Sequence, residues 1–257
     1  MITIREDFDL IIHKLDKDLP YINIYPIGDL HIGSGNLDMD SWNRWKQTLM
    51  NDPYGYTVLV GDLLDNGLKS SLTNSYRATM QPYEQQKWLL KELEPIKDKI
   101  LGCVSGNHEK RSTILADIYP MYNIMAKLDK ERLYRENFGF IKVNLGERNK
   151  DRQCSYTIVI AHGASKTATE KFSYAIDGMD VFIVGHIHQP KSAFQSKIVI
   201  DSKNETVSMK DFVHITVPSF QAIGGYTLEK MYMPQSSRIF PVITLDGTKK
   251  NMQVKWV

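Results

Sequence analysis

The stretch ILGCVSGNHEKRSTIL, residues 100–115, places a glycine, an amide, an imidazole and a carboxylate directly after an apolar run. The apolar part, residues 100–105, predicts a buried strand, and Gly106 lets the chain turn sharply where that strand ends. A plain turn needs no histidine. We therefore expect Asn107 and His108 to have a chemical role at this strand end.

Four other apolar runs end in similar chemistry. They continue into GDLH (28–31), GDLLDNG (61–67), HG (162–163) and GHIH (185–188). In an open sheet, ligands gather at the carboxyl ends of the strands, so we expect these junctions to meet at one place. Two pairs have alternate spacing, Asp29 with His31 and His186 with His188. Along an extended chain such residues point to the same side, which predicts that each pair faces one point.

The polar side chains at these five junctions are typical metal ligands. Seven of them exceed what one ion normally takes, which predicts two ions that share a bridging carboxylate. Imidazole mixed with carboxylate and amide oxygen favours manganese, iron, zinc or nickel over calcium or magnesium alone. We expect manganese, with iron, zinc, nickel and magnesium as alternatives. No thiolate is among these side chains, so a structural zinc site is disfavoured. The predicted ligands are Asp29, His31, Asp62, Asn107, His162, His186 and His188.

The periodicity predicts an α/β chain whose first half alternates strand and helix and whose second half is mostly strands. Two packed sheets flanked by helices fit both halves. The predicted strands are 21–27, 56–60, 100–105, 138–145, 154–161, 180–184, 194–200, 205–217 and 239–245. The predicted helices are 39–50 with Asp38 or Asp40 as cap, 82–100, 112–128 interrupted at Pro120, and 166–176. Hairpin turns are predicted at 201–205 and at Asp246-Gly247.

Composition limits the class of protein. The chain has 257 residues, of which 42% are hydrophobic, and a net charge of +2, which suits one domain over residues 1–257. This charge neither favours nor excludes nucleic acid. Neither a secretory signal nor an apolar run long enough to span a membrane is present, so we expect a cytoplasmic protein. Cys103 and Cys154 lie in apolar stretches and are expected to be reduced thiols.

The ordered set D-x-H, G-D-x-x-D/N, G-N-H-D/E, H and G-H-x-H resembles the calcineurin-like metallophosphoesterases, over roughly residues 22 to 190. The resemblance implies a four-layer α/β-β/α sandwich of two mixed sheets. It also implies two ligand sets that share Asp62. The first metal would be held by Asp29, His31, Asp62 and His188, and the second by Asp62, Asn107, His162 and His186.

The same resemblance implies that His108 is not a metal ligand but acts on the substrate. His108 would donate a proton to the leaving oxygen or hold the phosphate, and Asp65 would orient it. Within the family, the chain is most similar to compact bacterial or phage phosphoesterases, which are grouped loosely with repair exonucleases. The nuclease members often form dimers, so a homodimer is included among the expectations.

The substrate stays open at this point. A phosphodiesterase or nuclease acting on DNA or RNA is favoured, and the alternatives are a phosphomonoesterase, a small-nucleotide hydrolase, and a metal-binding scaffold without catalysis. Protein serine/threonine phosphatases carry arginine where this chain has Asn66, so that class is disfavoured. Arg77, Lys110 and Arg111 are candidate phosphate contacts, with a solvated surface role as the alternative for each.

Two segments and two histidines complete the expectations. The segments 66–85 and 219–236 are candidate walls of the substrate site. His13 and His214 are placed outside the metal centre. His214 alternates with apolar neighbours, which predicts a half-exposed or hydrogen-bonded strand residue.

Overall fold

The computed structural model of the chain describes residues 8–15, 19–68, 78–146, 154–222, 224 and 238–257. In these residues twelve strands form two six-stranded sheets. The strands are β1 Leu10–Lys14, β2 Tyr21–Ile24, β3 Gly55–Val60, β4 Ile100–Val104, β5 Tyr134–Arg135, β6 Phe138–Leu145, β7 Cys154–Ala161, β8 Val181–Val184, β9 Lys191–Asp201, β10 Thr206–Thr216, β11 Pro241–Asp246 and β12 Met252–Trp256. The α-helices are α1 Met39–Asn51, α2 Pro82–Leu93, α3 Asn107–Ala116, α4 Pro120–Lys127 and α5 Lys166–Ser173.

Both sheets are mixed. Sheet I has the order β12-β11-β2-β3-β4-β5, with parallel pairing from β2 to β5 and antiparallel pairing of β11 with its two neighbours. Sheet II has the order β1-β6-β7-β8-β10-β9, in which β7, β8 and β10 are parallel neighbours. The parallel strands β2, β3 and β4 of sheet I and β7 and β8 of sheet II therefore deliver their following loops to one edge of the molecule.

The main core lies between the two sheets. Sheet I contributes Ile24, Val58 and Val60, and sheet II contributes Ile158 and Ile183, all fully buried. A second cluster covers the other face of sheet I. It includes Trp42 and Trp45 of α1, Leu89 and Leu93 of α2, and Met121 and Met125 of α4.

A smaller cluster covers the outer face of sheet II. It contains Val159, Phe182 and Phe212, and on this side Phe172 of α5 stacks on Phe138 with ring centroids 5.1 Å apart. The layers thus run helices, sheet I, sheet II, helix. This arrangement confirms the predicted four-layer sandwich.

Most predicted elements are present with small shifts at their ends. Strands β6 and β7 have the predicted bounds, and Asp38 caps α1 by accepting from the amide of Ser41 at 3.1 Å. Helix α2 ends at Leu93 and continues as a 3₁₀ helix over Glu94–Lys99, because Pro95 removes a backbone donor and fixes its own φ.

Three details of the element prediction are wrong. The helix expected to begin at Ser112 begins at Asn107, so the polar residues after β4 form its first turn. Strands β1 and β5 were not predicted, since the first is a short edge strand and the second has only two residues. The last hairpin has a longer turn than Asp246-Gly247 alone, because β12 starts only at Met252.

No helix in the described part of the chain has both the length and the apolar character required to cross a lipid bilayer.

Candidate metal centre

All seven predicted ligands lie in loops or a helix start at one edge of the two sheets. Those that follow strands of sheet I are Asp29, His31, Asp62 and Asn107, and those that follow strands of sheet II are His162, His186 and His188. Six of them, all except Asn107, gather with His108 in three overlapping groups, in each of which the donor atoms lie within 4.8 Å of one another. The groups are Asp29/His31/His188, His31/Asp62/His108 and Asp62/His162/His186.

The first group centres on the buried carboxylate of Asp29. Its Oδ1 lies 3.2 Å from His188 Nε2, and both its oxygens accept from the backbone amide of His186, at 3.1 and 2.9 Å. His188 Nε2 also lies 3.4 Å from His31 Nε2. Two imidazole nitrogens and a carboxylate oxygen therefore converge.

The group of Asp62, His162 and His186 centres on the Asp62 carboxylate. Its Oδ2 lies 3.1 Å from His162 Nε2, and its Oδ1 accepts from the backbone amide of His108 at 2.8 Å. Asn107 Oδ1 completes the group, because it lies 3.1 Å from His162 Nε2 and 2.9 Å from His186 Nδ1. Asp62 thus has one oxygen bound to the start of α3 and the other turned toward the ligand histidines.

The backbone conformation of the ligands is unusual. Nine non-glycine residues in the described ranges have positive φ, and five of the nine are predicted ligands. Such conformations cost free energy and cluster at functional sites. The five are Asp29 at 51°, His31 at 49°, Asp62 at 49°, His186 at 69° and His188 at 58°.

This observation corrects the geometric basis of the sequence prediction. The chain is not extended at the two alternately spaced pairs, so the rule for i and i+2 does not apply there. Asp29 and His31 still reach the same group, but His186 and His188 reach different groups. The left-handed turns therefore aim each side chain individually.

Two glycines allow the loops to approach this closely. A Cβ on Gly106 would lie 2.1 Å from Asp62 Oδ1, and a Cβ on Gly61 would lie 2.5 Å from the Gly106 amide nitrogen. Gly61 also has φ of +84°. The loops after β3 and β4 are therefore in contact through backbone atoms, and a side chain at either glycine would separate them.

His108 lies beside the ligands with one ring nitrogen fixed. Its Nδ1 donates to the backbone carbonyl of Asp65 at 2.8 Å, and the carboxylate of Asp65 is 3.4 Å from the same nitrogen. Its Nε2 is 3.8 Å from Asp62 Oδ2. The backbone of Asp65 thus makes the shorter contact, although the resemblance had implied its carboxylate. Arg111 Nη1 also donates to this carbonyl, at 3.0 Å.

Glu109 is a positioning residue that sequence reasoning missed. It is fully buried, and its carboxylate accepts from the backbone amides of Asp62, Leu64 and Gly106 at 2.8–2.9 Å. It therefore ties the start of α3 to the loop that carries Asp62. The available signal was its place as the last residue of GNHE, three residues after Gly106, which is the spacing of a capping box.

Asn66 is a second missed positioning residue. Its side-chain amide donates to the carbonyl of His108 at 2.8 Å and to Ser112 Oγ at 2.9 Å, and its backbone amide donates to Gln85 Oε1 at 2.9 Å. Sequence reasoning used Asn66 only to disfavour one class of phosphatase. Its buried contacts instead hold the loop after β3 against α3.

The electrostatics of the centre fit a cation. Burial opposes the charged form of Asp62, but His162 and the other surrounding histidines hold the pKa of this carboxylate well below its ordinary value. Burial likewise opposes charging of His162, but the Asp62 carboxylate outweighs it and raises the pKa of His162 to about 9. Burial and the neighbouring His108 lower the pKa of His31.

The donor set passes a test of fit for a transition-metal ion. His162 Nδ1 donates to the carbonyl of Val60 at 2.9 Å, so Nε2 presents its lone pair to the centre once the ring is neutral. Outer hydrogen bonds of this kind are typical of metal-bound histidines. Imidazole nitrogens, carboxylates and one amide oxygen converge without a thiolate. The centre is therefore able to hold divalent metal.

Of the three cations predicted to contact the substrate, Lys110 and Arg111 are among the described residues. Lys110 Nζ donates to Asn137 Oδ1 at 2.6 Å, and Arg111 reaches the loop of Asp65 as described above. Arg77 lies outside the described residues, as do residues 69–77 of the first candidate wall and residues 223 and 225–236 of the second. These three cations stay predictions.

The remaining two histidines are not among the groups of the centre. His13 Nε2 lies 2.8 Å from the carbonyl of Leu101. His214 is buried in β10, and its Nε2 has no hydrogen-bond partner among the described residues. The prediction of a half-exposed or hydrogen-bonded His214 is therefore wrong.

Comparison with known proteins places these loops in a recognised pattern. The family model described as calcineurin-like phosphoesterase matches residues 22–190, which is more than half of the chain. No curated protein matches the sequence. A crystal structure of a conserved uncharacterized protein from Streptococcus pneumoniae, called a predicted phosphoesterase, aligns with a TM-score of 0.42 and 10% identity, covering 92% of this chain and 89% of that one. This structural similarity is too low to support an argument about function.

Proposed function

The chain belongs to the calcineurin-like phosphoesterase family, and we propose that it hydrolyses phosphodiesters at a dinuclear metal centre, with nucleic acid as the favoured substrate. The observation that carries this proposal is the convergence of two separate groups, Asp29/His31/His188 and Asp62/His162/His186, joined by a third that contains His31 and Asp62. Two neighbouring groups of three donors suit two ions better than one.

We assign the ligands as the family pattern implies. Asp29, His31, Asp62 and His188 would hold one ion, and Asp62, Asn107, His162 and His186 the other. The position of Asp62 between the two groups supports its role as the bridge. When bound, two divalent ions would neutralise the phosphate oxygens and make a bound water more acidic.

His108 is proposed as the general acid. Its Nδ1 is held by the Asp65 loop, so only Nε2 is available to the substrate. Burial opposes its charged form, but the side chain of Asp65 and the charge of Asp62 together raise the pKa of His108. A charged imidazole can give a proton to the leaving alkoxide, and such assistance typically contributes about 10²–10⁴ in rate.

A charge argument favours a diester over a monoester. A terminal phosphate is a dianion near neutral pH, whereas a diester carries a single charge. Asn66 stands where protein phosphatases carry an arginine, and its amide is already engaged with His108 and Ser112. With one cation fewer than those phosphatases, the site suits the less charged ester.

We also propose that residues 1–257 form a single domain. The elements after residue 190, where the family match ends, belong to the two sheets: β9 and β10 to sheet II, and β11 and β12 to sheet I. These strands complete the same two sheets whose loops carry the predicted ligands. This supports the proposal of a single domain.

Activity on two chromogenic esters tests the proposal. With Mn²⁺, the protein is expected to hydrolyse bis-p-nitrophenyl phosphate faster than p-nitrophenyl phosphate, and Asp62→Asn should lose most of this activity. Iron, zinc, nickel and magnesium are tested in parallel. Faster hydrolysis of the mono-ester would favour a phosphomonoesterase, and inactivity with every metal would favour a scaffold without catalysis.

Nucleic acid as the substrate needs a separate experiment. Single-stranded DNA, duplex DNA and RNA are incubated with the Mn²⁺ protein, and binding is followed at increasing salt, because phosphate contacts weaken as salt rises. Cleavage of a small diester without cleavage or salt-sensitive binding of any polymer would favour a small-nucleotide hydrolase. The homodimer and the cytoplasmic location stay predictions from the sequence.

A further inference from the structure

A small cavity lies beside the metal centre, between α5 and the outer face of sheet II. Its volume is about 160 Å³. Its wall includes Lys166 and Glu170 of α5, Ile187 of the β8–β9 connection, Lys191 at the start of β9, and His214 of β10. Ile187 sits between two ligand histidines in the sequence, and α5 begins after the loop that carries His162. The cavity and the metal centre therefore share two loops.

His214 gives this cavity an unused hydrogen-bonding group. The ring forms part of the wall and is only 6% exposed, while its Nε2 has no partner among the described residues. A buried polar atom without a partner lowers the stability of the folded chain. Because His214 lines the cavity, it offers a bound ligand a hydrogen-bonding group that no described residue uses.

The charged residues around the cavity leave one net positive charge, because Lys166 and Lys191 face a single carboxylate, that of Glu170. Lys191 Nζ lies 2.7 Å from Glu170 Oε1, and Lys166 is one helical turn before Glu170 on α5. Burial, helped by Lys191, lowers the pKa of His214, so its ring is neutral near neutral pH. The wall therefore offers both donors and acceptors. This combination suits a ligand that itself has both donors and acceptors.

The size of the cavity points to a ring. Its volume is roughly ten times what a single water needs on the same measure, so a lone phosphate would leave much of it empty. Ile187 and Pro190 add apolar surface at the wall. A flat ring could pack on this surface and direct its polar edge toward His214 and Glu170.

We propose that this cavity binds the sugar or base ring of a nucleotide whose phosphate occupies the metal centre. The shared chemistry is a neutral ring that both donates and accepts hydrogen bonds. The link to the phosphate rests on the proposed phosphoesterase function, but binding of the ring alone does not require catalysis.

Calorimetric titration of the full chain in the presence of Mn²⁺ tests this inference. Adenosine, uridine, ribose and inorganic phosphate are the probes, at concentrations up to the millimolar range. We expect a nucleoside to bind and His214→Phe to weaken binding at least tenfold, whereas the control His13→Gln binds as the unchanged protein does. Binding of ribose would identify the sugar as the bound ring, and a strong difference between adenosine and uridine would identify the base.

A second variant tests the inference independently, in case His214→Phe does not fold. Glu170→Gln changes a partly exposed position on α5 and removes the charged acceptor, so it should weaken nucleoside binding several-fold at an unchanged melting temperature. The inference is overturned if no nucleoside binds, if only inorganic phosphate binds, or if the folded His214→Phe variant binds as tightly as the unchanged protein.

Hydrolysis of bis-p-nitrophenyl phosphate separates this inference from the proposed function. Hydrolysis without nucleoside binding overturns the ring site alone. Nucleoside binding without hydrolysis supports the ring site and counts only against the catalytic proposal.

Discussion

A single substitution tests the acid role of His108 separately from metal binding. His108→Asn removes the acid group but leaves all seven predicted ligands, so metal content should stay unchanged by elemental analysis. Hydrolysis of an alkyl phosphodiester should fall by about 10²–10⁴, because its leaving group needs a proton. A p-nitrophenyl ester, whose leaving group is stable as an anion, should lose much less. Equal losses on both esters would contradict the acid role.

We expect His162 to make metal binding dependent on pH. Without metal, the carboxylate of Asp62 raises the pKa of His162 to about 9, so the ring carries a proton at neutral pH. A metal ligand must be neutral imidazole, and binding therefore releases that proton. Affinity for Mn²⁺ should rise as pH increases from 6 toward 9.

Calorimetry in buffers of different ionisation enthalpy measures this proton release directly. His162→Ala serves as the comparison, since the variant has no proton to lose at this position. The prediction fails if the heat of binding is independent of the buffer at pH 7.

At the level of single residues, the sequence allowed the chemistry to be predicted but not the geometry. Side-chain types and their order sufficed to predict that the seven candidate ligands and His108 would converge at one place. The left-handed backbone at Asp29 or His186 could not be predicted, because non-glycine residues rarely adopt it and do so here only under tertiary constraint. The contact of His108 with the backbone carbonyl of Asp65 could not be predicted either, because every residue has a carbonyl and side-chain types do not show which one is contacted.

The start of α3 is the element on which the centre depends most. It carries Asn107 and His108 in its first turn, and Glu109 binds it to the loop of Asp62. Glu109→Gln replaces one acceptor oxygen by an amide group that faces backbone N–H groups. We expect this change to cost about 1–3 kcal/mol of stability and to lower the affinity for Mn²⁺.

Thermal unfolding and metal titration of Glu109→Gln measure both effects. Glu131→Gln, at an exposed position, is the matched control. If the two variants unfold at the same temperature and bind metal alike, the positioning role of Glu109 is refuted.

Elements were predictable where apolar patterning was strong. The central strands are continuous apolar runs such as 56–60, and β6 and β7 alternate or end in turn residues, so their bounds followed from the sequence. The early start of α3 was missed because GNHE contains turn-forming residues. In the fold, the buried Glu109 satisfies the first amides of the helix, and this contact depends on a loop 45–47 residues earlier in the chain.

Across the whole molecule, metal should act as a stabilising ligand. Ions that bind only the folded chain raise its stability by mass action, by about 2.7 kcal/mol when the free ion is at a hundred times its dissociation constant. The melting temperature should therefore rise with Mn²⁺ and fall after chelation. Asp62→Asn should show a smaller rise, and an unchanged melting temperature of the unsubstituted protein would count against a folded-state metal site.

Because sheet I supplies Asp29, Asp62 and Asn107 while sheet II supplies His162, His186 and His188, neither sheet alone holds a complete set of the predicted ligands. An intermediate in which only one sheet has formed would leave manganese in solution. During refolding, ion binding should therefore lag behind the recovery of circular dichroism, and its rate would report when the two sheets pack together.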